Sequence, residues 1–173
     1  MTPEDRLRAL GLELPPSPVP VAAYSLAVRT GDLLYLSGTT CYRDGRPMFH
    51  GKLGREVTVQ QGYDAARQTA LNLLAVIRDE VGELSRIARV VKVNGYVNSA
   101  AGFIEQPAVM NGASELLVAV LGDRGRHART SIGVAELPGD IPVEIEMIVQ
   151  IAAPPQSGRG KKALRGKGAG KEG

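Results

Sequence analysis

Between Thr58 and Gly82 the apolar positions Tyr63, Ala66, Ala70, Leu73, Leu74, Ile77 and Val81 recur at helical spacing. That period predicts an amphipathic helix with one buried face, and Thr58 and Gly82 supply its cap and its stop. "QPAVMNGASELLVAVLG" predicts a second helix, with Pro107 near its start and Gly122 at its end. Elsewhere the period is two. Tyr24, Leu26 and Val28 alternate with Ser25, Ala27 and Arg29, a turn follows at Thr30 to Asp32, and "LLYLSG" answers as a second strand, which is the pattern of a hairpin. Asp44-Gly45 marks another turn before a third short strand near Arg46 to Phe49, weakened by Pro47 within it. "RIARVVKVNGYV" is β-branched and strand-like, and Arg126 to Ile151, "RHARTSIGVAELPGDIPVEIEMIVQI", predicts a closing buried hairpin turned by "LPGD".

Ahead of these elements, Thr2, Pro3 and Asp5 predict a short peripheral helix ending at Gly11. Four prolines between Pro15 and Pro20 predict an extended lead-in to the core. The expected organisation is a helix and lead-in over residues 1–22, one domain over 23–153, and a tail over 154–173. Within the domain the order is three strands, helix, strand, helix, two strands. Two strand-helix-strand crossovers feeding one sheet imply an α+β fold, a mixed six-stranded sheet with two helices on one face. The other face would be bare, and oligomerisation is its natural cover.

Charge changes the picture only once it is located. The chain has a pI of 9.2, yet the tail "PPQSGRGKKALRGKGAGKEG" carries six basic residues and one acid, leaving the preceding body with 15 basic and 17 acidic residues. The domain is slightly acidic. The tail has six glycines and few apolar residues, so disorder is expected, serving solubility or weak anion attraction, with an RNA-binding arm as the other reading. No apolar run reaches the roughly 18 to 20 residues that span a bilayer. The N-terminal residues lack a secretory pattern, and a lone Cys41 suits a reducing compartment, so a cytoplasmic location without membrane contact is expected. Cys41, His50 and His127 are too few for a zinc site, and there is no Gly-rich phosphate loop; no metal and no cofactor are expected.

Candidate chemistry concentrates in the closing stretch. Alternation places Arg129, Ser131 and Gly133 on one face of their strand, and Glu144, Glu146 and Gln150 opposite the apolar set on the next. A hairpin could therefore bring Arg129 and both glutamates to one side of the sheet. Two readings stay open: a structural arginine-glutamate pair, or an arginine fork gripping a substrate carboxylate while a glutamate positions water. Ser37 is a strand-end hydroxyl lining a pocket or part of a turn; His127 is a pocket donor or a surface residue. No G-x-S-x-G elbow supports a serine hydrolase.

Three pieces, "ARTSIGVAELPGDIPVEIEMIVQI", "YSLAVRTGDLLYLSG" and "MNGASEL", together resemble the reactive intermediate deaminases, the RidA or YjgF family, long labelled endoribonuclease L-PSP. The resemblance spans about Val19 to Ala152. It implies a chorismate mutase-like fold, a homotrimer whose sheets form a central barrel, and sites between subunits. By the same resemblance Arg129 would grip the substrate carboxylate and Glu144 would place the attacking water. Tyr24, Ser37, Gly38 and Asn111 would line the pocket. His127, Thr130 and Ser131 stand where the family often has proline, serine and cysteine; His127 and Ser131 join the candidate pocket. The N-terminal helix and the long segment after Gly38 look more like a longer subgroup of the family.

The implied reaction is hydrolysis of enamines or imines, such as 2-aminoacrylate, to a 2-keto acid and ammonia. A non-catalytic trimer that senses small carboxylates is the alternative. An endoribonuclease is a third, against which stand the acidic body and its lack of an aromatic, basic surface pattern; a nucleic-acid partner is not expected.

Overall fold

The computed structural model describes residues 1–19 and 22–152; the expected tail, residues 154–173, lies outside them. Helix α1 (Pro3–Ala9) begins at Thr2, whose hydroxyl accepts from the Asp5 amide at 3.1 Å while the Asp5 carboxylate accepts from the Thr2 amide at 2.9 Å. This reciprocal box satisfies two donors that a helix start leaves orphaned. Contrary to the sequence expectation the helix is not peripheral: Leu7 is buried in the core, and Glu4 Oε1 accepts from the Leu84 amide at 2.8 Å.

Strands β1 (Ala27–Thr30) and β2 (Leu33–Thr40) form the expected hairpin, with Thr30 opposite Leu33. β1 is shorter than its alternation suggests, and Tyr24 lies in a bend ahead of it. Asp44 and Gly45, both at positive φ, turn β3 (Tyr42–Arg43) into β4 (Arg46–Pro47), the backbone that a two-residue hairpin requires. This pair is a separate ribbon, so the main sheet has five strands rather than six. Buried Asn72 explains the departure: its Nδ2 donates to the Thr40 carbonyl at 2.9 Å and the Tyr42 carbonyl at 2.8 Å, tying the chain to a helix where it leaves the sheet.

That helix is α2 (Val59–Val81), boxed by Thr58 and Gln61 and stopped at Gly82. There follow β5 (Ile87–Asn98), α3 (Gln106–Leu121), β6 (Ala128–Val134) and β7 (Val143–Ile151). The sheet runs β1-β2-β7-β5-β6, with β5 and β6 parallel and the other neighbours antiparallel. The crossover from β2 through α2 to β5 leaves a gap one strand wide, and β7 fills it.

The expected β6-β7 hairpin therefore does not exist. Residues 135–142 carry the chain across the end of β5, and Pro138–Asp140 is a short 3-10 turn in that crossing. Burial gives the reason. Val143, Ile145, Met147, Val149 and Ile151 are all buried, as a central strand demands, whereas Ala128, Thr130, Ile132 and Gly133 stay exposed on the edge.

Helices α2 and α3 cover one face, and their Leu73, Leu74, Ile77, Leu116 and Leu117 join the inner residues of the sheet in one core. Their close approach depends on Gly112, where a Cβ would run into the Tyr63 carbonyl. The opposite face is open, with Val28, Tyr35 and Ile132 exposed at 59%, 44% and 46%. Among the described residues no helix is long and apolar enough to cross a membrane.

Candidate active site

Arg129 stands on edge strand β6 opposite Val93 of β5. Val93 is fully buried beneath the helices, and directly paired residues share a face, so Arg129 turns toward α3. There Pro107, Asn111 and Ser114 form one stripe four and three residues apart. Arg129 Nη1 donates to Asn111 Oδ1 and to Ser114 Oγ, each at 3.0 Å, and Nη2 donates to the Pro107 carbonyl at 3.4 Å. Both Nη1 hydrogens are thereby used. Among the described residues the Nε–H and the outer hydrogen of Nη2 have no acceptor, a side-on edge that matches a carboxylate. Among the described residues no carboxylate pairs with this guanidinium, which removes the structural arginine-glutamate pair as its explanation within one chain.

His127 lies beside this cradle. Its Nδ1 sits 2.6 Å from the Gly125 carbonyl and its Nε2 3.0 Å from Ser114 Oγ. A carbonyl only accepts, so Nδ1 carries the proton and Nε2 accepts from the Ser114 hydroxyl. Burial, reinforced by the charge on Arg129, pushes the imidazole below its ordinary pKa, although the bond to Gly125 works the other way. Both ring nitrogens are engaged within the protein, so His127 lines the site without offering a free donor. With Val118 and Arg126 these residues surround a depression of about 270 Å³. Ser131, two residues past Arg129, has a buried Oγ with no hydrogen-bond partner among the described residues.

The other half of the candidate site is built around a β-bulge. Leu36 pairs with Met147 and Thr39 with Ile145, so Ser37 and Gly38 together oppose Glu146. Ser37 is held at the bulge by its amide, which donates to Leu26 O at 2.9 Å, and by its hydroxyl, which donates to Ser25 O at 2.7 Å. Its side chain is thus a clip on the chain preceding β1. At Gly38 a Cβ would collide with the Glu144 carboxylate; only glycine leaves that carboxylate its seat. Tyr24, Gly38 and Glu144 all line a cleft of about 1320 Å³, walled on another side by the proline-rich lead-in.

The two glutamates have different surroundings. Glu146 Oε1 accepts from Asn94 Nδ2 at 2.8 Å and from the Tyr96 hydroxyl at 2.9 Å, and that bond is the main reason the phenol is held above its ordinary pKa. Glu144 is half-buried; burial first, and the charge on Glu146 second, push its carboxyl up. A carboxyl raised in this way exchanges protons closer to neutral pH, as general acid-base work requires.

Register places the halves apart. Glu144 pairs with Tyr96 and Thr40, three positions along β7 from Met147, which pairs with Val93. Glu144 therefore faces the open side of the sheet and Arg129 the helix side, because β5 stands between their strands where a hairpin was expected. The structure groups Tyr24, Gly38 and Glu144, with Ser37 at their edge, and separately groups Asn111, His127 and Arg129, with Ser131 beside them. Ser114, which joins Arg129 to His127, was missed by sequence reading. The available signal was its position on the Pro107-Asn111 stripe of an otherwise apolar helix.

Residues 4–142 match the YjgF/chorismate mutase-like family, whose description adds a proposed endoribonuclease activity. The chain is 40% identical over 146 residues to protein TCP17 of Trypanosoma cruzi, covering 84% of this chain and 91% of that one. It is 31% identical over 145 residues to a 2-iminobutanoate/2-iminopropanoate deaminase of Dermatophagoides farinae, covering 81% and 94%. The crystal structure of Atu1372 from Agrobacterium tumefaciens, a protein of unknown function, superposes with a TM-score of 0.82 at 43% identity, covering 86% of this chain and 92% of that chain. With four-fifths of its length matched to the family and its fold shared with a solved relative, the chain belongs to the YjgF/chorismate mutase-like family.

Proposed function

We propose that the protein hydrolyses small carboxylate-bearing imines and enamines to 2-keto acids and ammonia without a cofactor. In this reading three copies pack their open sheet faces together. Arg129 of one subunit then meets Tyr24, Gly38 and Glu144 of the next. One observation carries the proposal: a guanidinium with an unused bidentate edge and a carboxyl raised by burial lie on opposite faces of one sheet, each lacking what the other supplies. The deaminase activity named for the Dermatophagoides relative supports the same chemistry.

The reaction needs little machinery. An imine carbon is already electrophilic. Arg129 would fix the substrate carboxylate side-on, leaving the C=N bond over the Glu144 carboxylate. Ionised Glu144 would take a proton as water adds to the carbon of the protonated imine and return it to nitrogen; the C–N bond then breaks as the carbinol hydroxyl gives its own proton to Glu144, the C=O bond forms and ammonia leaves. An enamine substrate would first tautomerise to the imine by protonation at carbon.

The test is the rate of 2-keto acid formation from imines generated in situ, comparing wild type with Arg129→Ala. The proposal expects wild-type acceleration and a loss of about a hundredfold or more in the variant. No acceleration with any imine would reject it in favour of the carboxylate-sensing trimer.

A further inference from the structure

We infer that Ser114 and His127 act as a positioning pair that holds the Arg129 guanidinium with its side-on edge directed out of the α3-β6 groove; the inference rests on the carboxylate-gripping role proposed for Arg129. Three observations converge on the pair.

The first is hydrogen-bond accounting around Ser114. Its hydroxyl has one proton and lone pairs to offer. It accepts from Arg129 Nη1 at 3.0 Å, so its own proton must go elsewhere, and His127 Nε2 at 3.0 Å receives it. Gly125 then fixes the imidazole from behind, because its carbonyl holds the proton on Nδ1 at 2.6 Å. The result is a directed chain from Arg129 through Ser114 and His127 to the backbone. Each member is in the only donor-acceptor sense open to it.

The second is where the arginine stands. β6 is an edge strand with solvent-exposed residues on either side of Arg129, and an arginine there loses considerable rotamer freedom if it is to meet a ligand in one orientation. Asn111 holds one Nη1 hydrogen at 3.0 Å, and the Pro107 carbonyl, at 3.4 Å, holds Nη2 more loosely. Ser114, one helical turn on from Asn111 along α3, takes the other Nη1 hydrogen at 3.0 Å and is the point that locks the plane.

The third is charge. Burial and the neighbouring Arg129 favour the neutral imidazole, and only that form can accept from Ser114. A leucine at 127 would leave the hydroxyl proton without its acceptor. A glutamine could restore it through Oε1, which lies about as far along the side chain as Nε2.

The pair is tested by steady-state kinetics of imine hydrolysis on Ser114→Ala, His127→Leu, His127→Gln and the Ser114→Ala/His127→Leu double variant. The inference expects KM to rise roughly tenfold in each of the first two, with kcat changed by less than about threefold, because substrate grip is loosened while Glu144 is untouched. The double variant should be no worse than either single one, since both break the same chain. His127→Gln should recover most of the loss, which a role in packing alone would not produce.

Independent, multiplying effects of the two single variants would overturn the inference, as would a fall in kcat with KM unchanged. If wild type hydrolyses no imine, the same four variants are compared for binding of 2-oxobutanoate by calorimetry, and the same pattern is expected in Kd. Should 2-oxobutanoate not bind either, the deciding readout is the Arg129 Nε–H resonance in proton-nitrogen NMR spectra. It should be ordered in wild type and His127→Gln and broadened or lost in Ser114→Ala; an unchanged signal there would refute the pair, whatever the protein's substrate.

Discussion

Arg129 and Glu144 project from opposite faces of one sheet, with β5 standing between the strands that carry them. Two residues so placed cannot grip one small molecule from within a single chain. Any site that uses both has to be completed by a second copy, and the open face bearing Val28, Tyr35 and Ile132 is the surface on which that copy would pack.

Gly38→Ala should separate stability from activity. The added Cβ meets the flexible end of Glu144 rather than backbone, so unfolding free energy should stay within about 1 kcal/mol of wild type. The carboxylate must leave its seat, and kcat should fall by about ten- to a hundredfold. Denaturant unfolding and steady-state kinetics on the same preparation check both halves.

Glu144→Gln should lower kcat by about a hundredfold or more with KM little changed. It should also stabilise the fold at neutral pH. The native carboxyl is raised above its ordinary value of 4.5 by burial and by Glu146, so the folded state binds the proton more tightly than the unfolded chain. The stability this residue contributes is full below the unfolded value and is lost as pH rises through the folded one. Urea midpoints should therefore favour the variant at pH 7 and converge with wild type below about pH 4, where the carboxyl is protonated in both states.

How much of this was legible in the sequence depends on how local each feature is. The caps at Thr2 and Thr58, the stops at Gly82 and Gly122 and the β1-β2 hairpin are written within a few residues of where they act, and each was read correctly. The insertion of β7 between β2 and β5 rests on pairings across 104 to 117 positions with β2 and 46 to 64 with β5. Local alternation shows that Glu144 and Met147 point apart but not which strands lie beside them. The predicted hairpin, and with it Arg129 and Glu144 on one face, failed for that reason. The difference between Glu144 and Glu146 was equally hidden, since Asn94 and Tyr96 reach Glu146 from another strand. Ser114 left a fainter trace, a hydroxyl on the same helical stripe as Asn111.

Leu7→Ala measures the docking of α1. Leu7 is only 3% exposed, and truncating a buried leucine removes apolar contact and leaves a cavity worth roughly 2 to 4 kcal/mol. A change below about 0.5 kcal/mol, the range of surface substitutions, would mean that the helix is as peripheral as its sequence suggested.

Tyr35→Asp tests the open face. Tyr35 pairs with Val28 and Ile148 on that side of the sheet, and a carboxylate there would be buried without a partner in an assembly. Light scattering should show a trimer for wild type and a smaller species for the variant, with activity lost alongside.

Mixed trimers of two inactive variants probe the shared site most directly. Arg129→Ala and Glu144→Gln, separately tagged and co-expressed, should each be inactive alone. In doubly tagged trimers isolated from the mixture, a site is whole when an intact Arg129 meets an intact Glu144 across an interface. In either mixed composition, two of one variant and one of the other around a threefold axis, one of the three sites is whole, so about a third of the wild-type activity should return. Mixed trimers with no activity above that of the two parents would contradict the account, because they would place Arg129 and Glu144 of one chain in the same site.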